Sequence, residues 1–247
     1  MQVDAEGASL NYEISGNSSK PALLLWHGAG CTLRMWDMAL DSLKREFFCI
    51  TFDIRGAGQS SVNFDTASQF TFEQYSKDIN LILAELDIQN THLWSMAWGT
   101  RAAIAYSSLY PEKVISAVFS DASIGSANIE AQKEGARKAL AMQEDLGIAR
   151  FELPEGWNEH IDRETAQLSL TAASKFDLDN VINDLRIPIL VMTGEYDPNL
   201  ESSKEISKRL PSANLKVLKN VGHGSVLQRP DLTVDNFLEF HTSLGVS

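Results

Sequence analysis

Cysteine is scarce in this chain of 247 residues, where Cys31 and Cys49 are the only two, too few for a disulfide framework or a four-ligand zinc site. Long apolar runs are missing as well: no stretch offers the roughly 18 apolar residues that a membrane span needs. The opening residues, Met1-Gln-Val-Asp-Ala-Glu-Gly, hold neither a basic leader nor an apolar segment. Basic residues are outnumbered, 21 Lys and Arg against 33 Asp and Glu for a formal charge of -12, and a field of that sign repels phosphate backbones and anionic headgroups. These shortages point to a cytoplasmic, soluble protein with reduced thiols, a small-molecule substrate, no nucleic-acid or membrane partner, and a monomeric or homodimeric state. The acidic residues are spread along the chain rather than massed in a tail, as on a solvated surface, and carry no functional reading.

What is present is the composition of a globular protein. Apolar residues make up 44%, enough to offset the conformational entropy of ordering the chain. The length suits one large core carrying one insertion. Two strand-like pieces between Val3 and Ile14, broken at Glu6-Gly7, predict an antiparallel hairpin at a sheet edge. From Pro21 short apolar runs alternate with segments of helical period: Ala22 to Trp26, Leu33 to Lys44, Phe47 to Phe52, and Thr71 to Leu86. Such alternation means parallel strands joined by crossover helices. In the last of these segments Phe72, Tyr75, Ile79, Ile82 and Leu86 form one stripe, and Thr71 with Gln74 predicts a capping box. Strands follow at Thr91 to Ser95 and Val114 to Ser120, around a helix from about Trp98 to Leu109. The rhythm resumes with a strand at Ile187 to Thr193, a helix over Glu201 to Leu210, a strand at Asn214 to Leu218 and a last helix from Asp231. Between Ser123 and about Arg186 the rhythm lapses into charged amphipathic stretches such as Asn128 to Glu144. This predicts a helical insertion over the sheet that caps a binding site, where Phe151, Leu153 and Trp157 suggest an apolar lining.

Four signals stand where a predicted strand gives way to a helix or loop, which in a parallel α/β sheet is the ligand crevice. The first is Trp26-His27-Gly28-Ala29-Gly30, a turn able to point backbone N–H groups at an anion. The second is Asp53-Ile54-Arg55-Gly56-Ala57-Gly58-Gln59-Ser60, read as architectural, with Asp53 and Arg55 paired. The third is Ser95-Met96-Ala97-Trp98-Gly99, whose small residue two before and glycine two after the centre permit the sharp strand-to-helix turn of a nucleophile elbow. The central residue is Ala97, so the geometry is present and the hydroxyl is missing. The fourth is a pair: Thr193-Gly194-Glu195-Tyr196-Asp197 after one late strand and Val221-Gly222-His223-Gly224 after the next. A carboxylate that orients an imidazole and an imidazole that moves a proton are the two supporting members of a triad. Glu195 and Asp121 compete with Asp197 for the acid role, and the glycine three residues earlier favours Asp197. None of His27, His92, His160 and His241 has metal-ligand spacing to a partner, and neither a metal nor a cofactor is expected.

Taken together, the order of glycine-rich turn, elbow, Asp and His resembles the α/β-hydrolase superfamily over nearly the whole chain. The Asp53 to Ser60 run is similar to that of its small single-cap esterase, lactonase and C–C hydrolase branch. The resemblance implies a mostly parallel, eight-stranded sheet flanked by helices, with residues 1–123 and 187–247 as the core and 124–186 as a small helical cap. It places Ala97 at the nucleophile position, His223 as general base and Asp197 as its orienter, with the N–H groups of Ala29 and Trp98 as an oxyanion hole. Trp98 and Trp157 are candidates for substrate contact.

Alanine cannot make an acyl-enzyme. Ser95, two positions before the apex, should point away from the crevice, and Cys31 lacks an activating base. Either alanine stands in place of a serine in an otherwise working triad, or the chain is a natural member without the serine. The first is favoured because Asp197 and His223 keep their motif contexts. It implies hydrolysis of an uncharged or weakly charged small ester, lactone or activated C–C bond, silenced in this chain. The second allows His/Asp proton-transfer chemistry of the lyase or cofactor-free oxygenase type, or a small-ligand receptor without catalysis.

Overall fold

The structure is a computed structural model that describes residues 1–63 and 67–246. Its hairpin edge consists of β1 (Gln2–Ala5) and β2 (Ala8–Ser15). The chain then alternates through β3 (Ala22–Trp26), α1 (Asp37–Leu43), β4 (Phe48–Phe52), the two-residue β5 (Ser61–Val62), α2 (Phe72–Glu85), β6 (Thr91–Met96), α3 (Trp98–Leu109) and β7 (Val114–Ser120). Helices α4 (Ile129–Asp145), α5 (Arg163–Ser169) and α6 (Leu178–Val181) follow. The last stretch holds β8 (Ile189–Gly194), α7 (Leu200–Arg209), β9 (Ala213–Leu218), α8 (Ser225–Gln228) and α9 (Pro230–Ser243). The sheet order is β1-β2-β4-β3-β6-β7-β8-β9, with β5 paired to β2. From β4 to β9 every neighbouring pair is parallel, and β2 runs antiparallel to its neighbours. No described helix is long and apolar enough to cross a membrane.

The central strands β3, β4, β6, β7 and β8 are buried on both faces because helices cover both. In β3, Leu23 and Leu25 enter one apolar cluster while Leu24 and Trp26 enter the other, the period of two that a strand imposes. Strand β8 divides in the same way, Ile189 and Val191 against Leu190 and Met192. Each fully buried leucine contributes about 1.5–3 kcal/mol relative to exposure, so these two clusters fix the register of the strands whose ends carry the site.

The helix starts follow local chemistry. Thr71 accepts a bond from the Gln74 N–H at 3.1 Å, but the Gln74 side chain donates to Asp78 instead of returning to Thr71. The cap is therefore one-sided, not the reciprocal box the spacing predicts. The segment Leu33 to Lys44 divides into a 3-10 turn at Leu33–Trp36 and the shorter α1. Between β7 and β8 the described residues are helical or irregular, with Asn128, Asp162 and Asp177 capping α4, α5 and α6.

Strand β3 lies between β4 and β6, so the connections leave it in opposite directions. The C-terminal ends of β3 and β6 thus flank the crevice of an open α/β sheet. Trp26 is in register with Ser95 and Met96 with Ser120, which sets the turn after β3 beside the turn after β6, and that beside the exit of β7.

Candidate active site

Between β6 and α3 the chain reverses at Ala97, whose φ of 52° and ψ of -113° put it at positive φ in a sparsely populated conformation that costs a non-glycine residue about 1–3 kcal/mol. The turn is held by the Ala97 N–H to the Ser120 carbonyl at 2.8 Å and by the Thr100 N–H to the Ala97 carbonyl at 3.0 Å. Gly99 is required here by close approach: a Cβ at this position would collide with the His27 carbonyl. Ser95 is fully buried and directed away, its hydroxyl 3.1 Å from that of Thr100 and 3.3 Å from the Val118 carbonyl. Burial pushes the Cys31 thiol up to about 12, far from a thiolate nucleophile.

The loops after β8 and β9 bring in the acid and the base. His223 Nδ1 lies 3.1 Å from Asp197 Oδ1, which also accepts the Asn199 N–H at 2.9 Å. Burial alone would lower the His223 pKa, but the bond to Asp197 and the nearby Asp121 and Asp197 carboxylates outweigh it and leave it raised.

Asp121 is a second carboxylate in this cluster. It follows β7 at φ 54°, fully buried, and its Oδ2 accepts the Gly224 and Ser225 N–H groups at 2.9 and 2.7 Å. Its Oδ1 is buried without a hydrogen-bond partner. Desolvation, then the Asp197 charge, push its pKa up to about 7. The Asn199 amide ties the two acids together by donating to the Asp121 carbonyl at 3.0 Å. Asp121, Asp197 and His223 have ligand-type atoms within 4.8 Å of one another. Asp121 Oδ2 is already engaged with two backbone amides, and Asp197 Oδ1 with one backbone amide and the imidazole, so the cluster reads as a proton-holding arrangement.

A cavity of about 220 Å³ is lined by Ala97, His223, Ala29, Trp98 and Asn199 among others. The elbow, the base and both residues expected to supply oxyanion amides therefore border one space. The Trp98 N–H opens α3, where a helix has no acceptor of its own to offer. Its indole is fixed, donating to the Leu170 carbonyl at 3.1 Å and packing on Phe72 and Tyr75. Trp157, expected at the ligand, is not among the residues lining this cavity; it packs half-buried against the second apolar cluster, its carbonyl accepting the Thr32 N–H at 2.7 Å. Phe151 and Leu153, expected as lining, are exposed at 40% and 48%, because the stretch that carries them has no regular structure to turn them inward. Ile129 and Leu170 supply apolar lining instead. A larger hollow of about 500 Å³ holds neither Ala97 nor His223, and is lined by Glu13, Asp37, Glu155 and Glu159 around Arg34.

The Asp53 to Ser60 loop is architectural, but Asp53 and Arg55 do not pair. Asp53 accepts the Leu33 and Gln59 N–H groups at 2.8 and 2.9 Å. Arg55 is fully buried and makes a two-pronged bond to Asp78 on α2, at 2.6 and 2.7 Å. His27 is equally structural: its Nε2 accepts the Ile54 N–H at 3.1 Å, so Nδ1 donates to the Gly28 carbonyl at 2.9 Å. Burial lowers its pKa.

Two features of the segment over the site had no signal in the sequence. His160 bridges to the core, accepting the Gly58 N–H at 2.9 Å and facing the Gly30 carbonyl at 3.1 Å. Gly135 lets α4 rest on the acid and base loops, since a Cβ there would collide with the Tyr196 carbonyl. Lys138 over the Tyr196 ring at 4.7 Å, and the Gln143 amide donating to the Asn220 carbonyl at 2.7 Å, continue that contact.

Comparison with known proteins agrees with this architecture. Residues 21–162 match the alpha/beta hydrolase fold family. The chain is 23% identical to 3-oxoadipate enol-lactonase 2 of Acinetobacter baylyi, over 92% of this chain and 91% of that one. The solved enol-lactonase of Burkholderia xenovorans superposes with a TM-score of 0.80 at 19% identity, covering 98% of this chain and all of that one. A thermophilic esterase of Thermogutta terrifontis superposes at 0.75 with 21% identity, covering 96% and 94%.

Proposed function

The chain belongs to the α/β-hydrolase family, and from that premise we propose that its site is built for hydrolysis of a small ester, lactone or activated C–C bond by a Ser-His-Asp mechanism. The nucleophile position holds Ala97, so the chain as it stands is inactive or nearly so in hydrolysis. The observation that carries this reading is the strained elbow at Ala97, bordering the same cavity as His223, while His223 keeps its Asp197 partner. A left-handed apex is an expensive conformation to maintain, and its use is to present one side chain above the sheet.

With a serine at 97, its proton passes to His223 Nε2 as the oxygen attacks the carbonyl carbon. The Nδ1–H bonded to Asp197 fixes the tautomer that leaves Nε2 free to accept, and Asp197 steadies the imidazolium that results. The Ala29 and Trp98 N–H groups stabilise the developing oxyanion. The imidazolium then returns the proton to the leaving group. The helical segment 124–186 serves as the cap, with α4 seated over the acid and base loops. In Ala97→Ser, hydrolysis of a chromogenic short-chain ester is the test.

The retained His223–Asp197 pair also favours a second reading, in which the imidazole removes a proton from substrate directly. His223→Ala abolishing an activity of the unaltered chain, together with its persistence in Ala97→Ser, selects that reading.

A further inference from the structure

The charge around the cavity runs against that of the chain. In a protein of net charge -12, none of the described residues lining this cavity is Asp or Glu, and its lining includes the guanidinium-bearing Arg101. Asp121 and Asp197 stand behind His223, buried and bonded to it or to backbone amides. Arg101 lies in the first turn of α3, four residues after Ala97, and lines the same cavity. Helical side chains lean toward the N-terminus, which inclines Arg101 back toward the elbow.

Arg101 has no acidic partner among the described residues. Its Nε donates to the Ser123 carbonyl at 2.9 Å and one Nη to the Gly125 carbonyl. Both acceptors are neutral, and burial lowers its pKa with no carboxylate to restore it. A partly desolvated guanidinium held in a fixed orientation by two carbonyls retains donors for a planar, negatively charged group. Among the described residues, the only other titratable side chain lining the cavity is His223.

We infer that Arg101 is an anion anchor and that the site takes a substrate bearing a carboxylate or similar anionic group, joined by a short linker to the carbonyl presented at Ala97. From Trp98, the first residue of α3, to Arg101 the helix rises about 4.5 Å, and a linker of a few carbons spans such a separation. Ile129 and Leu170 cover the apolar middle of such a molecule, and Gln132 and Ser123 add polar contacts near the anion. The inference rests on reading this cavity as the substrate site, and narrows the uncharged or weakly charged substrate expected from the sequence to one bearing an anionic group.

The test uses the chain as it is. Monomethyl glutarate and dimethyl glutarate carry the same ester and differ by one charge; each is titrated by isothermal calorimetry at low and high salt. The half-ester binds about tenfold or more tighter than the diester, and salt shrinks the difference. Arg101→Gln removes the preference and Arg101→Lys keeps part of it. Equal binding of the two esters, no measurable binding of the half-ester, or a preference that survives in Arg101→Gln overturns the proposal. Should Arg101→Gln fail to fold, Arg101→Lys and the salt dependence decide. Ala97→Ser separates the two readings. Hydrolysis of both esters with equal kcat/KM sinks the anion site and leaves the hydrolase reading. Arg101-dependent binding of the half-ester without hydrolysis in Ala97→Ser does the reverse.

Discussion

The Asp121 carboxylate accepts the N–H of Ser225 at 2.7 Å across 104 residues of chain. Together with its bond to Gly224, this pins the backbone just beyond His223 to the exit of β7. Asp121 is therefore a positioning residue: it holds the loop that aims the imidazole, and its charge raises the His223 pKa. Asp121→Asn tolerates the left-handed backbone and still offers an oxygen to both amides, so it folds with a small loss of stability. It lowers the His223 pKa, read by NMR titration of the imidazole. Asp121→Ala leaves the buried Ser225 N–H and the part-buried Gly224 N–H unpaired and costs about 1–3 kcal/mol, read by urea unfolding. An unchanged His223 titration in Asp121→Asn contradicts this role.

The Arg55–Asp78 pair is fully buried on the arginine side, so removing one partner strands a charge. Arg55→Met is expected to cost about 3–5 kcal/mol in urea unfolding, and Arg55→Met with Asp78→Leu to recover much of it. Equal losses in the single and double variants contradict the pairing.

That pair also marks where the sequence stopped being legible. Strand and helix positions were readable because burial imposes periods of 2 and 3.6 on the apolar residues. The elbow was readable because close packing on His27 demands Gly99 within a short span. The partner of Arg55 was not, since Asp78 is 23 residues away and the nearer Asp53 offered a plausible local pairing. Asp121 was noticed only as a rival to Asp197; that both flank His223 depends on the parallel register of β7 and β8. Arg101 carried no signal because lacking an acidic partner is a property of space, and His160 and Gly135 act through contacts with loops far away in the chain. Phe151, Leu153 and Trp157 suggested a lining on composition alone, where nothing periodic fixed their direction.

Buried histidines make stability depend on acid. Burial lowers His92 and His241 to about 4, and the two are linked through Ser116 at 2.8 and 3.1 Å. Their folded pKa lies below the unfolded value near 6.5, so the unfolded chain binds more protons between those limits. The stability these two histidines contribute is thus full above about pH 6.5 and is lost as pH drops toward 4, by roughly 1–2 kcal/mol per histidine between pH 7 and 5. Urea midpoints across that range check it, and His241→Gln should flatten the slope. Asp121 and His223, whose pKa values are raised, contribute in the opposite sense, so the comparison with His241→Gln decides: a pH dependence identical in that variant and the unaltered chain contradicts the prediction.

Gly135→Ala forces a Cβ into the Tyr196 carbonyl, so α4 must lift from the loops that carry Asp197 and His223. Faster hydrogen exchange over residues 129–145 and weaker ligand binding are expected, with exchange in β3 and β6 unchanged. Unaltered exchange in α4 contradicts its seating on those loops.

Placing a hydroxyl at the elbow tests the central claim most directly. Hydrolysis of p-nitrophenyl acetate by Ala97→Ser is compared with that of the unaltered chain, in each case with and without His223→Ala. A gain of about a thousandfold or more in kcat/KM, dependent on His223 and falling as pH drops through its raised pKa, is the predicted result. A folded Ala97→Ser chain no faster than the alanine form, toward this ester and toward the glutarate esters alike, contradicts it.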